Sequence, residues 1–233
     1  MISVVIPTRN SEEALVRTLS TLIGGAADGT VREVVVVDGG SEDQTRLVAE
    51  GTGCEMISGT GGAWARCAIG AATARRGEFL MFLRPGVLLD AGWENDFQAA
   101  VERRLRHGDA RFAAVFRLAS DDDTLGGSLK YYLRRLFGRC AGMTHPDQGL
   151  IISRAYFREL GGFRRRDGLA GVDLVRRVGR RRLVRLRAPA VRVIADGQGD
   201  TVAGGGLAGA LAALLLAVRL PVGLVAGLTG QRG

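Results

Sequence analysis

The chain has 233 residues, of which 46% are hydrophobic and 24% charged, a balance that is typical of a globular protein and excludes a disordered one. Three cysteines without a Cys-x-x-Cys pair and only two histidines exclude a disulfide framework and a histidine-rich metal site. The net charge of +8 comes almost entirely from arginine, which favours phosphates and anionic head groups.

The first part of the chain alternates strand and helix patterns. Short apolar runs, rich in β-branched residues, predict strands at 2–6, 34–37, 54–58 and 79–83. Helical periodicity or small-residue composition predicts helices that start after Asn10 and Ser11, at 45–50 and at 63–76, and glycines predict a loop at 24–29. This order indicates a right-handed βαβ arrangement around a parallel sheet.

The valine strand at 34–37 ends at Asp38, which makes this the most informative point of the chain. Gly39 and Gly40 allow a sharp turn, and Ser41 and Asp43 are candidate N-caps for the helix that follows. A carboxylate therefore lies at the carboxyl end of a buried parallel strand, where open α/β sheets bind ligands. The alternative is that Asp38 only caps its own turn.

The second part of the chain is less regular. A helix is predicted at 94–106, a strand at 111–118, a basic amphipathic helix at 125–137 and one or two edge strands at 183–195. Asp121 to Asp123 are either solvated or a metal site. Eleven arginines between Arg164 and Arg192 form either a solvated face or a surface for anionic lipid or a diphosphate. Nucleic acid is not expected as a partner, because aromatic residues do not interleave with these arginines.

The last thirty residues differ in composition from the rest. Residues 207–218 are apolar, Arg219 and Pro221 interrupt the run, and 220–228 resume it. A membrane span needs about 20 residues, so we expect either a helix packed on the domain or an interfacial anchor. We divide the chain into a domain at 1–200 and a membrane-associating tail at 201–233. No basic segment precedes the first strand, so we do not expect a signal peptide. We therefore expect a cytoplasmic protein that its tail holds at the inner face of the plasma membrane.

Five segments together carry a family resemblance: ISVVIPTRN at 2–10, VVVVDGGSEDQT at 34–45, GEFLMFL at 77–83, DQGLIISR at 147–154 and LGGF at 160–163. They resemble family 2 glycosyltransferases, and most closely a small bacterial branch associated with arsenosugar biosynthesis. The resemblance implies a GT-A fold, an α/β three-layer sandwich with a mostly parallel sheet.

The resemblance also implies a nucleotide-sugar donor and a site at the carboxyl ends of the strands. Residues matching the family's nucleotide-binding positions are Pro7, Thr8, Asn10, Asp38, Gly61 and Arg66. For Arg66 the alternative is an ordinary surface arginine.

Two acidic elements of the family are absent. Its metal-binding carboxylate motif is replaced by Arg84-Pro85-Gly86, and the Glu-Asp that supplies its general base is replaced by Ala170-Gly171. Asp173 lies two to three positions later and would face differently on a helix. We therefore predict no metal cofactor, with Arg84 replacing the cation on the diphosphate and Asp147 acting as the base.

These features predict a glycosyltransferase that moves a sugar from a nucleotide donor to an envelope-related or lipid-linked acceptor, without a metal. The alternatives are a catalytically silent protein of the same fold that acts as a scaffold at an anionic membrane surface, and an enzyme that uses a rearranged set of residues which the sequence does not identify.

Overall fold

A mixed eight-stranded sheet forms the centre of the computed structural model, which describes residues 1–119, 148–164 and 169–193. Its strands are β1 (Ile2–Thr8), β2 (Val31–Asp38), β3 (Glu55–Ser58), β4 (Phe79–Phe82), β5 (Val87–Leu89), β6 (Ala113–Ala119), β7 (Leu150–Ser153) and β8 (Leu183–Arg192). The described helices are α1 (Glu12–Ser20), α2 (Ile23–Ala27), α3 (Thr45–Gly51), α4 (Ala63–Thr73), α5 (Trp93–Arg106), α6 (Arg154–Glu159) and α7 (Ala170–Val178).

The strand order is β3-β2-β1-β4-β7-β6-β8-β5. Strands β3, β2, β1 and β4 are mutually parallel, β7 is antiparallel to both β4 and β6, and β8 is parallel to β6. Strands β6 and β8 therefore run in the same direction as β1 and β4. We call the edge where β1 to β4 end the carboxyl edge, and the edge where β1, β4, β6 and β8 begin the amino edge.

Helices cover both faces of the sheet. On one face, apolar side chains of α1, α3 and α5 pack on the sheet, with Leu15, Ala49 and Phe97 buried. On the other face, α4, α6 and α7 contribute buried residues that include Cys67, Phe157 and Leu174. This is the predicted three-layer α/β sandwich. Strand β1 is buried along its whole length because it lies between β2 and β4 with a helical layer on each side.

The structure corrects several details of the sequence predictions. The glycine-containing stretch expected to be a loop at 24–29 begins within helix α2, and the helix expected at 63–76 ends at Thr73. The stretch expected to give edge strands forms β8, which lies between β6 and the short edge strand β5. Ser41 does not cap α3, because its side chain is bonded to the turn before it.

Other predictions lie outside the described residues. These are the aspartates at 121–123, the helix at 125–137, the base Asp147 and the tail at 201–233. Within the part of the chain that the structure describes, no helix combines the length and the apolar character that a membrane crossing needs.

Candidate functional site

Two loops at the carboxyl edge, one after β1 and one after β2, are bonded to each other. The backbone N–H of Asn10 donates to Ser41 Oγ over 2.8 Å, and the N–H of Glu42 donates to Asn10 Oδ1 over 2.8 Å. The N–H of Glu12, at the start of α1, donates to Asp43 Oδ2 over 3.0 Å. Asn10 has a positive φ of 47°, a conformation that asparagine tolerates better than most residues. These bonds fix the two loops as one rigid unit.

Asp38 organises the turn after β2. Its Oδ1 accepts from the hydroxyls of Thr8 and Ser41, and its Oδ2 accepts from the N–H groups of Gly40 and Ser41 at 3.0 and 2.8 Å. Burial raises the pKa of this carboxyl, but the hydrogen bonds outweigh burial and the net pKa is lowered. The four bonds occupy the usual acceptor capacity of a carboxylate. Asp38 therefore caps its turn, as the alternative reading had it, and its contact with a nucleotide stays a prediction.

Arg66 lies beneath that turn and is not a surface residue. Its side chain is only 2% exposed, and its Nη1 donates to the carbonyl oxygen of Gly61 over 2.6 Å. A Cβ atom added at Gly39 would lie 2.6 Å from the same nitrogen, so the guanidinium packs directly against the glycine and would have to shift for any side chain there. The surface-arginine alternative is wrong, because Arg66 connects the turn after β2 with the loop before α4.

A shallow depression, open to solvent and with about 10 Å³ of water-accessible volume, lies beside this unit where β1 and β4 end; we call it the pocket. It is lined by Pro7, Ala63, Trp64, Cys67, Phe82, Leu83 and Arg84. The exposed surface of the pocket is almost entirely apolar, and Arg84 is the charged residue among those that line it. Burial raises the pKa of the Cys67 thiol to about 12, against the opposing charges of Arg66 and Arg84. Cys67 is therefore a protonated, apolar wall residue and not a nucleophile.

The described residues of this pocket do not fit a divalent cation. None of the lining residues carries a carboxylate, and the described chain holds no cluster of three acidic, histidine or cysteine side chains suited to a metal. Gly86 belongs to the segment that the sequence resemblance aligns with the family's metal-binding carboxylates. Its N–H donates to Ala14 O and Thr18 Oγ1 of α1 at 3.0 and 2.9 Å. With a φ of 84° and Val193 O only 2.9 Å from an added Cβ, this position resists any side chain.

The segment that the sequence resemblance aligns with the family's general base, Ala170-Gly171, lies against an aromatic ring. Gly171 is buried in α7, and a Cβ atom added there would lie 2.4 Å from Cζ2 of Trp64. The Trp64 ring also packs against Phe163, with 5.3 Å between ring centroids. A carboxylate at position 171 therefore has no room in this packing.

Asp173 has a structural role, in an ion pair with Arg177. Its Oδ2 accepts from Arg177 Nε and Nη2 at 3.0 and 2.8 Å. Arg177 in turn donates to the carbonyl oxygens of Leu160 and Gly162. The pair therefore holds the Gly-Gly turn against α7.

The predicted site residues of the described chain come together at the carboxyl edge. They are Pro7, Thr8, Asn10, Asp38, Gly61, Arg66 and Arg84. Pro7 and Arg84 line the pocket itself, and the other five form the rigid unit beside it. Trp64, Cys67 and Phe82 were missed. A signal for Trp64 was present, since it is the one aromatic residue in the small-residue helix α4.

Comparisons with known proteins give a family match for the first part of the chain and similar folds for nearly all of it. Residues 3–83 match the family model described as Glycosyl transferase family 2. The fold is similar to that of a mycobacterial protein, with a TM-score of 0.63 and 21% identity over 95% of this chain and 76% of that chain. It is also similar to glucosyl-3-phosphoglycerate synthase from Mycobacterium tuberculosis in complex with Mn²⁺, UDP and glucosyl-3-phosphoglycerate, with a TM-score of 0.60 and 19% identity over 95% and 81% of the two chains.

A second structure of that synthase, in complex with Mn²⁺ and UDP-glucose, gives a TM-score of 0.62 at 19% identity, over 95% of this chain and 80% of that one. No curated protein sequence matches the chain. The predicted GT-A fold is thus confirmed, and so is the resemblance to family 2 glycosyltransferases. The arsenosugar branch stays a prediction.

Proposed function

We propose that this chain, with the family 2 glycosyltransferase match over residues 3–83, transfers a sugar from a nucleotide donor that binds at the carboxyl edge. The observation that carries the proposal is the pocket at the ends of β1 and β4, where Arg84 stands beside an apolar wall. Such a pocket suits a ligand with an apolar or aromatic part next to an anionic group. UDP and UDP-glucose, the ligands of the similar synthase structures, have this character.

Arg84 is the group that we assign to the diphosphate. A guanidinium pairs with phosphate oxygens through two parallel hydrogen bonds and carries a permanent positive charge. In this position it offsets the charge that develops on the leaving diphosphate when the bond to the sugar breaks. We therefore propose that donor binding does not require Mg²⁺ or Mn²⁺.

The rigid unit beside the pocket has a positioning role. Asp38 and Arg66 hold the turn after β2 and the loop before α4 in place through their hydrogen bonds. A turn that is already ordered loses little entropy when a nucleotide binds. The proton of the acceptor hydroxyl goes to Asp147, which the sequence predicts as the base.

Titration calorimetry with UDP-glucose and with a panel of other nucleotide sugars tests the donor assignment. We expect the affinity to be the same with Mn²⁺ and with a chelator. Arg84→Gln should weaken diphosphate ligands by about 10- to 100-fold, as for one charge-assisted hydrogen-bonding group, and leave the nucleoside unaffected. Arg46→Gln, on the exposed side of α3, is the matched control. Binding that a chelator abolishes would contradict the metal-independent assignment.

The second candidate function is a silent binding or scaffold protein of the same fold. It is favoured by the Trp64 ring beside Gly171 and by the engagement of Asp173 with Arg177, which remove the usual base from the site. Release of UDP over many turnovers, measured with an acceptor panel, separates the two functions. Donor binding without UDP release would support the silent protein.

In either case, an anionic membrane surface at the inner face of the plasma membrane is the partner that we propose from the arginine content.

A further inference from the structure

The amino edge, opposite the pocket, carries a dense group of arginines. The arginine patch consists of Arg103, Arg104, Arg106, Arg111, Arg158, Arg180, Arg181 and Arg182. Four of these come from the end of α5 and the segment after it, Arg158 comes from α6, and three form the turn between α7 and β8. All except the half-buried Arg104 are exposed.

Direct contacts join these three segments into one surface. Arg104 Nη2 donates to the carbonyl oxygen of Arg181 over 3.0 Å, so the end of α5 touches the turn before β8. The carbonyl of Arg182 accepts from the N–H of Ala113 at the start of β6. Arg111 Nε lies 3.0 Å from Glu159 Oε2, which attaches the end of α6 to the same surface.

The charge of this surface exceeds what the fold needs. Helices α5 and α7 both end here, and the ends of two helices carry together about one negative charge. The carboxylates of the same segments are Glu102, Asp109 and Glu159. Eight arginines against three carboxylates leave an excess of five positive charges. Capping of the two helices therefore accounts for only a small part of the patch.

One apolar side chain distinguishes a lipid surface from other polyanions. Leu105 is 56% exposed and lies in the last turn of α5, between Arg104 and Arg106. Exposed leucine within a basic surface is typical of segments that insert at the boundary between head groups and acyl chains. A single-stranded nucleic acid would instead use exposed aromatic rings for stacking, and Tyr156, whose ring contacts Arg182 of the patch, is only 2% exposed.

We propose that the arginine patch docks on an anionic lipid surface, with Leu105 inserted between the head groups. The seven residues of β1 separate the amino edge from the carboxyl edge by about 20 Å. The pocket then faces water, away from the bilayer. The statement about the pocket rests on the proposed function, in which the pocket binds the donor. A pocket that faces water favours a water-soluble acceptor over a lipid-linked one.

Sedimentation of the full chain with lipid vesicles tests the docking surface. We expect binding to vesicles that contain phosphatidylglycerol, weaker binding to pure phosphatidylcholine, and loss of binding as salt is raised. The variant Arg103→Gln/Arg106→Gln/Arg181→Gln should weaken binding on the order of a hundredfold, since each arginine near such a surface contributes severalfold. The control Arg17→Gln/Arg46→Gln/Arg187→Gln removes the same charge elsewhere and should bind as the wild type does.

Leu105 provides an independent test of the lipid assignment. Leu105→Asn should weaken vesicle binding and leave salt sensitivity intact, and the fluorescence of Leu105→Trp should be quenched by brominated lipids. Equal vesicle binding by the patch variant and its control would overturn the proposal. Tighter binding to single-stranded RNA than to vesicles, unchanged in Leu105→Asn, would overturn it as well and assign the patch to nucleic acid.

Orientation is tested by adding UDP-glucose to vesicle-bound protein. An affinity equal to that of the free protein supports a pocket that faces water, and an affinity reduced by vesicles would contradict it. Failure of UDP-glucose to bind with or without vesicles would remove the proposed function and leave the docking surface, which sedimentation tests on its own.

Discussion

Glu33 and Asp38, near the two ends of β2, stabilise opposite edges of the sheet by the same means. Asp38 accepts four hydrogen bonds from donors on β1 and on its own turn. Glu33 Oε1 accepts from the hydroxyl of Ser3 and from the N–H groups of Arg75 and Arg76 at 2.5, 2.7 and 2.6 Å. Each carboxylate thus connects β2 to the segments beside it.

Asp38→Asn is expected to destabilise the turn as well as the nucleotide site. An amide nitrogen cannot accept the hydrogen bonds that one carboxylate oxygen now receives, and the loss should be about 1–3 kcal/mol in the free energy of unfolding. Urea unfolding measures this change. Asp90→Asn, at an exposed position, is the control and should change stability little. Unchanged stability together with lost UDP-glucose affinity would show that Asp38 serves the ligand and not the turn.

At the scale of elements, small residues set the distance between helix and sheet. A Cβ atom added at Gly70 of α4 would lie 2.4 Å from Val5 Cγ1 and 2.9 Å from Val37 Cγ2. Helix α4 therefore approaches β1 and β2 closely, as its small-residue composition predicted. Helix α7 approaches the start of α4 in a similar way, where Gly171 contacts Trp64.

Gly171→Asp is expected to destabilise the protein by at least about 2 kcal/mol, because it forces a charged side chain into a filled space. The double variant Trp64→Ala/Gly171→Asp should be less destabilised than the sum of the two single variants, since the first change makes room for the second. Denaturant unfolding of all four proteins gives this coupling free energy. Gly51→Ala, in a helical position with open space around it, is the control and should be neutral or stabilising.

Additive behaviour of the two substitutions would show that the ring and the glycine do not share one space. The packing between α4 and α7 would then need a different explanation.

The sequence predicted the elements whose pattern is local. Four consecutive valines predict strand β2, and the position of Asp38 at its end follows directly. The hydrogen bond between Asn10 and Ser41, and the packing of Arg66 beneath Gly39, join residues that are far apart in the chain and leave no periodic signal. Trp64 and Gly171 are likewise far apart in the chain. The absence of the acidic motifs could therefore be seen in the sequence, whereas the Trp64 ring beside Gly171 could not.

Two elements were misjudged for physical reasons. Glycines at 24 and 25 indicate a loop, yet Gly25 is the buried residue of α2, where its missing side chain leaves room for Val31 and Trp93. Residues 183–195 were expected to give edge strands, but β8 lies inside the sheet because β5 flanks it. Strand β5 has three residues and is too short to give a sequence pattern.

At the scale of the whole molecule, a buried polar network fastens the centre of the amino edge. Arg154 donates to the carbonyl oxygen of Gly77 from Nε and Nη2 at 3.0 and 2.8 Å, and to Ser3 Oγ at 3.2 Å. Ser3 also accepts from the N–H of Gly77 and donates to Glu33. The network therefore ties β1, β2, β4 and β7 together at the edge opposite the pocket.

The stability of the fold should fall in acid. Burial raises the pKa of the Glu33 carboxyl, but hydrogen bonds from Ser3, Arg76 and Arg75 outweigh it, so the net pKa is lowered, as for Asp38. A lowered folded-state pKa contributes stability above the ordinary value of about 4 and loses it as the pH falls through the folded value. Urea unfolding from neutral pH down to pH of about 3 should show this decline.

Glu33→Gln should lower stability at neutral pH and make the decline in acid shallower, because one of the contributing groups no longer titrates. Glu50→Gln, on the exposed side of α3, is the control and should keep the slope of the wild type. A Glu33→Gln profile parallel to that of the wild type would assign the acid sensitivity to other carboxylates.

The packing of Trp64 against Gly171 also bears on mutational access to position 171. An acidic residue introduced there alone would collide with the ring. Removal of the ring alone would take away its packing against Phe163 and widen the pocket that it lines. Each single substitution is therefore expected to cost stability, and only the pair gives a carboxylate room. A designed or selected route to an acidic residue at 171 must change both positions together, so packing alone decides which substitutions this site accepts.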